Sequence, residues 1–272
     1  MNLAIIIVTY NSAHLIEACV TSLGKFRQNV LVVDNGSVDG TSALLKTLGI
    51  PVILNNTNLG FSRAANIGAR ETRAECLCFL NPDCAATPSL FIKGLEKLAD
   101  NPKRCVVPEK IKLENVTIRG IQPGYTRKKL LCDMIEINYS RNGVAGLLRG
   151  HLRYHDNSWH WPLGTCLFVH RDFFLSLKGF DERYFMYYED VDLGKRIMKA
   201  GGEIVSINFE LEHDQEKHAG DVTARKIRLL NEGRMVYARM HYGPLFTLIL
   251  RIALFPVKLM QSNKAMSART QE

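Results

Sequence analysis

The sequence has no Cys-x-x-Cys pair, no Gly-x-Gly-x-x-Gly, no phosphate-binding P-loop, no internal repeat and no low-complexity block. Each absence argues against a class of protein. Its seven cysteines (Cys19, Cys76, Cys78, Cys84, Cys105, Cys132 and Cys166) are odd in number and mostly lie among apolar residues. Buried thiols of a reducing compartment fit this better than a disulfide framework or a zinc site. Without the glycine fingerprints, a dinucleotide-dependent dehydrogenase or a P-loop kinase lacks its phosphate cradle. No stretch reaches the about eighteen uncharged apolar residues of a membrane span. The N-terminus has no basic lead-in, so Leu3 to Val8 is expected as a core strand rather than a signal peptide. Basic residues without interleaved stacking aromatics, and no helix-turn-helix or RNA-recognition signature, argue against nucleic acid as a partner.

What is present is a globular composition. The chain has 272 residues, 46% hydrophobic and 23% charged, enough to bury a substantial core. Thirty-five Lys and Arg against twenty-seven Asp and Glu give a formal charge of +8. Such a surface attracts anions, whether nucleotide phosphates, lipid headgroups or nucleic acid.

Strand and helix patterns alternate through the first hundred residues. Leu3 to Val8 is a continuous apolar run, as for a parallel strand covered on both faces. A helix follows to about Leu23, with Ser12 as its expected N-cap. Strands at 30–33, 51–54 and 76–80 then alternate with helices at 41–48 and 62–73. Short loops joining such elements predict an α/β fold with a doubly wound parallel sheet. Residues 110–157 are basic and irregular, either a loop region over an active site or a solvated insertion. A further helix is expected from Asp190 to Ala200. The apolar stretch from Leu245 to Met260 carries Arg251, Pro256 and Lys258, so it is either an interfacial helix or a core helix.

Polar clusters fall where the strands end: Thr9-Tyr10-Asn11, Asp34-Asn35-Gly36-Ser37, Asn58-Leu59-Gly60 and Asn81-Pro82-Asp83. In a parallel sheet the carboxyl ends of strands bind ligands. Asp34 can accept the ring N–H of a pyrimidine, and backbone N–H groups at helix starts can hold phosphate. Any one cluster is also an ordinary turn sequence, but four at successive strand ends favour a site. Asp83 is a candidate Mg2+ or Mn2+ ligand, since hard cations take oxygen donors. The run from Phe180 to Leu193 places carboxylates beside a dense aromatic stretch ending Tyr187-Tyr188-Glu189-Asp190. Aromatic walls desolvate a carboxylate and raise its pKa toward the range of a general base. The bland alternative is an acidic helix N-terminus. Either His213 or His218 could complete a metal shell or contact phosphate, though for each alone a surface role is the ordinary expectation.

Five motifs in order then carry a family resemblance. They are Ile6-Ile7-Val8-Thr9-Tyr10-Asn11, Val32-Val33-Asp34-Asn35-Gly36-Ser37, Asn58-Leu59-Gly60-Phe61, Phe79-Leu80-Asn81-Pro82-Asp83 and Tyr184-Phe185-Met186-Tyr187-Tyr188-Glu189-Asp190-Val191-Asp192-Leu193. Together, over about residues 1–220, they resemble the family 2 glycosyltransferases, especially the bacterial rhamnosyltransferase-like branch. The resemblance implies a GT-A fold: a Rossmann-like, mostly parallel central sheet flanked by helices, here with a C-terminal helical extension. It implies a nucleotide-binding half at 1–105, an acceptor and catalytic half at 106–220, and an extension at 221–272 that is either membrane-associating or packed.

The same resemblance implies roles. Thr9, Tyr10 and Asn11 match the first nucleotide-contacting loop, and Asp34, Asn35 and Ser37 match the residues that hold base and ribose. Asn58, Gly60, Arg63 and Asn66 match the lining of the nucleotide-sugar pocket. Asp83 matches the last residue of the metal-binding Asp-x-Asp motif, whose first residue is Asn81 here, leaving fewer charged ligands. Asp190 matches the catalytic base, with Glu189 beside it to orient the acceptor. His213 aligns with a histidine that reaches metal or diphosphate, and Trp161 and Gly164 match an acceptor-lining region. The implied reaction is metal-dependent inverting transfer, Mg2+ or Mn2+ being the cofactor. Its donor is a nucleotide-diphospho-sugar, dTDP-rhamnose first and a UDP-sugar second. The implied acceptor is a saccharide, polyprenyl-diphosphate-linked, of a surface polysaccharide. The implied place is the cytoplasm, peripheral on the inner face of the cell membrane. Two other classes compete. A non-catalytic nucleotide-sugar-binding protein would be expected to lack Asp83 or Asp190. A nucleotidyltransferase would carry a glycine-rich basic loop after the first strand.

Overall fold

The computed structural model describes residues 1–113, 116–139, 155–213 and 221–269. The expected alternation is present in the first part of the chain: β1 (Leu3–Thr9), α1 (Ala13–Ser22), β2 (Val30–Asp34), α2 (Thr41–Thr47), β3 (Val52–Leu54), α3 (Phe61–Glu71) and β4 (Cys76–Leu80). Then come β5 (Cys84–Ala85), α4 (Pro88–Ala99), β6 (Arg104–Lys112), β7 (Thr117–Arg119), β8 (Ile121–Tyr125), α5 (Arg127–Tyr139) and β9 (His155–Pro162). The chain continues with β10 (Cys166–His170), α6 (Arg171–Ser176), α7 (Glu189–Lys199), β11 (Glu203–His213) and α8 (Asp221–Arg269).

The central sheet runs β3-β2-β1-β4-β10-β6-β11-β5, with β7 beside β6. Strands β3, β2, β1 and β4 are parallel neighbours, as expected. Beyond them the sheet is mixed, because β10 runs antiparallel to both β4 and β6, while β6 and β11 are parallel. The period-two alternation of strands explains the unbroken apolar runs. Leu3, Ile5 and Ile7 pack with Val32, Cys78, Phe168 and Phe91 on one face. Ala4 and Ile6 pack with Phe79, Leu167, Phe174 and Leu193 on the other. Both faces are covered by helices, so β1 is apolar from Leu3 to Val8 and carries a polar side chain only at Thr9, its carboxyl end.

One local expectation is met in position and another is corrected. Ser12 stands at the N-cap of α1, but its side chain makes no cap bond to the helix. The Ala13 N–H instead donates to Asp39 Oδ2 at 3.0 Å, a cap supplied from the next loop. The segment from 110 is not irregular throughout: β6 continues to Lys112, and Arg127–Tyr139 is a helix. That helix lacks a clean apolar stripe of its own. Its Met134 is buried with Ala238, Leu250 and Leu254 of α8, a partner that local sequence does not reveal.

The chain divides into two compact units, Met1–Pro123 with Ser158–Lys217, and Gly124–Asn157 with His218–Glu272. The helical second unit thus takes in residues 124–157 besides the C-terminal extension. Within it α8 is broken at Gly243, where the backbone leaves helical space (φ 87°, ψ 174°).

Candidate active site

The site is built at the carboxyl ends of β1, β2 and β4, all within the first unit. There the loops are laced to one another. The buried Asp34 carboxylate accepts from Thr9 Oγ1 (2.7 Å), Ser37 Oγ (2.5 Å) and the Ser37 N–H (3.0 Å). Ser37 Oγ in turn accepts from the Asn11 N–H (2.8 Å), and Asn11 Oδ1 accepts from the Val38 N–H (2.9 Å). Asn11 holds a left-handed backbone (φ 52°), a conformation asparagine tolerates better than most residues. Asn35 Nδ2 donates to the Gly60 carbonyl (3.1 Å). Thr9, Asn11, Asp34, Asn35 and Ser37 therefore form one hydrogen-bonded rim, with Tyr10 exposed beside it.

The next group closes onto the segment that precedes α7. Gly60 is tied within its own loop, its N–H donating to Asn58 Oδ1 (2.9 Å). Its φ is 84°, and a Cβ there would lie 2.4 Å from the Phe185 carbonyl oxygen. The Phe61 N–H donates to that same carbonyl at 2.7 Å. Asn66 is buried and spans Phe180, accepting from its N–H (2.9 Å) and donating to its carbonyl (2.8 Å). Arg63 pairs with Glu182 at 3.2 Å. Arg63 and Asn66 thus hold the 180–185 segment in place. Glu182 and Phe185, the other half of this clamp, carried no signal in the sequence beyond lying beside the aromatic run.

The clamp delivers Glu189 and Asp190 to the first turn of α7. Tyr187 and Tyr188 immediately before it are both left-handed (φ 69° and 71°). Such residues cost on the order of 1–3 kcal/mol each and persist where packing enforces them. Here Tyr184 and Tyr188 are buried. Asp190 Oδ2 accepts from the Gly164 N–H at 2.9 Å, and Oδ1 from the Val191 N–H at 2.8 Å. Desolvation pushes Asp190 up to about 6, with those two N–H groups pulling the other way. Glu189 is buried, its Oε2 lacks a hydrogen-bond partner, and burial together with the Asp190 charge drives its carboxyl well up. Burial thus raises both carboxyls of the pair above the ordinary carboxylate range, Asp190 to about 6. Asp192 plays a different part: fully buried, it binds Arg196 (2.7 Å), which reaches the Leu177 and Gly179 carbonyls.

The loop after β4 meets the last strand. Asp83, Cys84 and His213 present ligand atoms within 4.8 Å of one another. Asp83 Oδ1 lies 2.9 Å from His213 Nε2, yet neither that oxygen nor either ring nitrogen has a hydrogen-bond partner. A buried polar atom left so costs about 1–3 kcal/mol, and a divalent cation between carboxylate and imidazole removes the penalty. The residues fit a metal. His218 lies outside the described residues.

One turn joins these parts. The Gly164 N–H holds Asp190, and the Thr165 carbonyl accepts the Asn81 N–H at 3.0 Å. Trp161 is buried, donates from its ring N–H to the Pro123 carbonyl (2.9 Å) and packs over Gly194 of α7.

Comparison with known proteins agrees with this arrangement. A model of "Glycosyl transferase family 2" matches residues 4–178. An N-acetylglucosaminyl-diphospho-decaprenol L-rhamnosyltransferase of Mycobacterium tuberculosis is 28% identical over 229 residues, 73% of this chain and 71% of the relative. An uncharacterized glycosyltransferase, YfnE of Bacillus subtilis, is 25% identical over 257 residues, 79% of this chain and 63% of that one. Among solved structures, the mannosyltransferase PcManGT from Pyrobaculum calidifontis, in complex with GDP-Man and Mn2+, superposes with a TM-score of 0.56 at 15% identity. It covers 98% of this chain and 80% of its own. Glucosyl-3-phosphoglycerate synthase from M. tuberculosis, with Mn2+, UDP and phosphoglyceric acid, gives 0.56 at 15% identity over 89% of this chain and 78% of that one. The architecture is the GT-A fold, and the chain belongs to glycosyl transferase family 2.

Proposed function

We propose that the protein is an inverting, metal-dependent sugar transferase that moves rhamnose from dTDP-rhamnose to a polyprenyl-diphosphate-linked saccharide of a surface polysaccharide. The observation that carries the chemistry is Asp190, a carboxylate raised to about 6 and aimed by two backbone N–H groups. Donor and acceptor follow the similarity to the mycobacterial L-rhamnosyltransferase.

In this reading Asp190 takes the proton of an acceptor hydroxyl as that oxygen attacks C1 of the donor sugar. The bond from C1 to the diphosphate breaks on the opposite face, and the electron pair leaves with the nucleotide. Positioned base catalysis of this kind contributes about 10²–10⁴-fold. Glu189, buried beside Asp190, orients the acceptor. A Mg2+ or Mn2+ ion held by Asp83 and His213 supplies charge stabilisation for the diphosphate. Thr9, Tyr10, Asn11, Asp34, Asn35 and Ser37 form the nucleotide rim. Asn58, Gly60, Arg63 and Asn66 shape the sugar side by fixing the 180–185 clamp. Trp161 and Gly164 border the acceptor side.

The second unit supports work at an anionic membrane surface. Leu245, Leu248, Ile249 and Ile252 of α8 are 74%, 52%, 46% and 64% exposed, at the i, i+3, i+4, i+7 spacing of one helical stripe. Arg239 and Arg251 are exposed on the same helix, as in interfacial helices. Among the described residues no helix is long and apolar enough to cross a membrane.

The test is transfer from dTDP-rhamnose and from UDP-sugars to a synthetic polyprenyl-diphosphate saccharide with Mn2+ or Mg2+, followed by assignment of the product anomer. Inverted rhamnoside from the dTDP donor is the expected product. Transfer from a UDP-sugar alone replaces the donor, and a retained anomer overturns the role of Asp190.

A further inference from the structure

Arg127 opens α5, and its place is fixed where the helix begins. Thr126 caps that helix, its hydroxyl accepting from the Lys129 N–H at 3.0 Å. The Arg127 guanidinium lies over two rings of α8, 5.4 Å from the centre of Tyr242 and 5.9 Å from that of Phe246. Those rings meet edge to face at 5.6 Å, and the Tyr242 hydroxyl donates to the Tyr125 carbonyl. All of these residues belong to the second unit. An aromatic face attracts the cation but leaves its fork of N–H donors open to an acceptor. Arg127 is exposed, and among the described residues no carboxylate pairs with it.

What lies beside the fork sets the kind of anion it suits. Leu245, Leu248, Ile249 and Ile252 form the exposed stripe of α8. Phe246 comes three residues before Ile249, and Arg251 three after Leu248. On a helical surface these two positions stand on opposite flanks of the stripe. Arg127, seated on Phe246, and the exposed Arg251 therefore place a cation on each side of an apolar strip. A free phosphate or a nucleotide has no use for the strip, whereas a charged lipid uses both parts. The strip is one convex face of a helix rather than a groove, so it suits a layer of acyl chains better than one enclosed chain.

We propose that Arg127 is a phosphate-binding site for the headgroup of an anionic membrane phospholipid, its fork holding the phosphate while the α8 stripe enters the acyl layer. The site rests on the membrane reading above and gives it a named anchor. Tyr242 and Phe246 already hold the guanidinium, so little side-chain freedom is left to lose on binding. Two-pronged, charge-assisted bonds to phosphate oxygens follow from the shape of the fork, which a diffuse positive surface does not supply.

The experiment is flotation of the full chain with phosphatidylcholine vesicles, with and without phosphatidylglycerol, at physiological salt, where distant charges are screened. The wild type should float only with phosphatidylglycerol. Arg127→Gln should weaken that binding about fivefold or more, as expected for a cation at an anionic surface. Arg73→Gln removes the same charge from an exposed position of the first unit and should leave binding unchanged. A second measurement uses the wild type alone and stands even if a variant folds poorly. An arginine-specific dicarbonyl reagent, mapped by mass spectrometry, should find Arg127 shielded by phosphatidylglycerol vesicles and open with phosphatidylcholine. Equal binding by the two variants, or no shielding of Arg127, would overturn the site while the membrane reading stands. Flotation with phosphatidylcholine bearing a polyprenyl diphosphate, but not with phosphatidylglycerol, would give the fork to the acceptor lipid and overturn the phospholipid assignment. No flotation of the wild type with any of these vesicles would overturn both the site and the membrane reading.

Discussion

At the scale of single residues, Asp190 governs the pH response. A base works deprotonated, so kcat/KM should climb about tenfold per pH unit below about 6 and level off above it, measured on initial rates from pH 4.5 to 8. Asp190→Asn keeps an acceptor for the Gly164 N–H but cannot take a proton, and activity should fall by about 10²–10⁴-fold. Its stability should move the other way. The folded state holds this proton more tightly than the unfolded chain does, so ionising Asp190 costs stability as pH rises from about 4 through about 6. The variant should therefore melt no lower than the parent at pH 7, and any advantage should vanish below pH 4. A clear loss of melting temperature at pH 7 would mean that the carboxylate serves the fold. For the metal site, Asp83→Asn and His213→Gln should each weaken Mn2+ by at least about tenfold, read by paramagnetic resonance, and chelation should abolish turnover until metal is restored.

At the scale of elements, the clamp between the start of α3 and the segment before α7 decides whether Asp190 is delivered. Gly60→Ala places a methyl 2.4 Å from the Phe185 carbonyl in a backbone region nearly reserved for glycine. It should destabilise by about 2 kcal/mol or more, checked by denaturant unfolding. This scale also shows what the sequence revealed. β1, β2 and β4 were legible because strands buried on both faces are unbroken apolar runs, and the partly exposed edge strand β3 because Val52–Leu54 is a short apolar run before a turn-rich loop. The polar clusters were legible because each ends such a run. The antiparallel β10 was not, since Cys166–His170 is as apolar as a parallel strand. Arg63 and Asn66 were expected as site residues, but their partners Phe180 and Glu182 lie more than a hundred positions away, where local pattern has no reach. The opposition of Cys84 and His213 was hidden for the same reason: nothing local tells which of seven cysteines lies opposite that histidine.

At the scale of the whole molecule, the charge of +8 and the exposed stripe on α8 lead to one prediction. Replacing Leu245, Leu248, Ile249 and Ile252 with serine should reduce sedimentation with phosphatidylglycerol vesicles by about tenfold or more. Helix content should be unchanged, because Leu250 and Leu254, on the buried side, remain. Equal sedimentation of both forms would remove the membrane role. The seven buried thiols bring a different consequence. Six belong to the first compact unit, and Cys132 alone belongs to the second. A thiol-alkylating reagent can label each only when its surroundings open, so the mass added over time is a clock for opening events. One adduct at Cys132 ahead of the other six marks the helical unit coming apart first, and all seven together mark a molecule that opens as a whole.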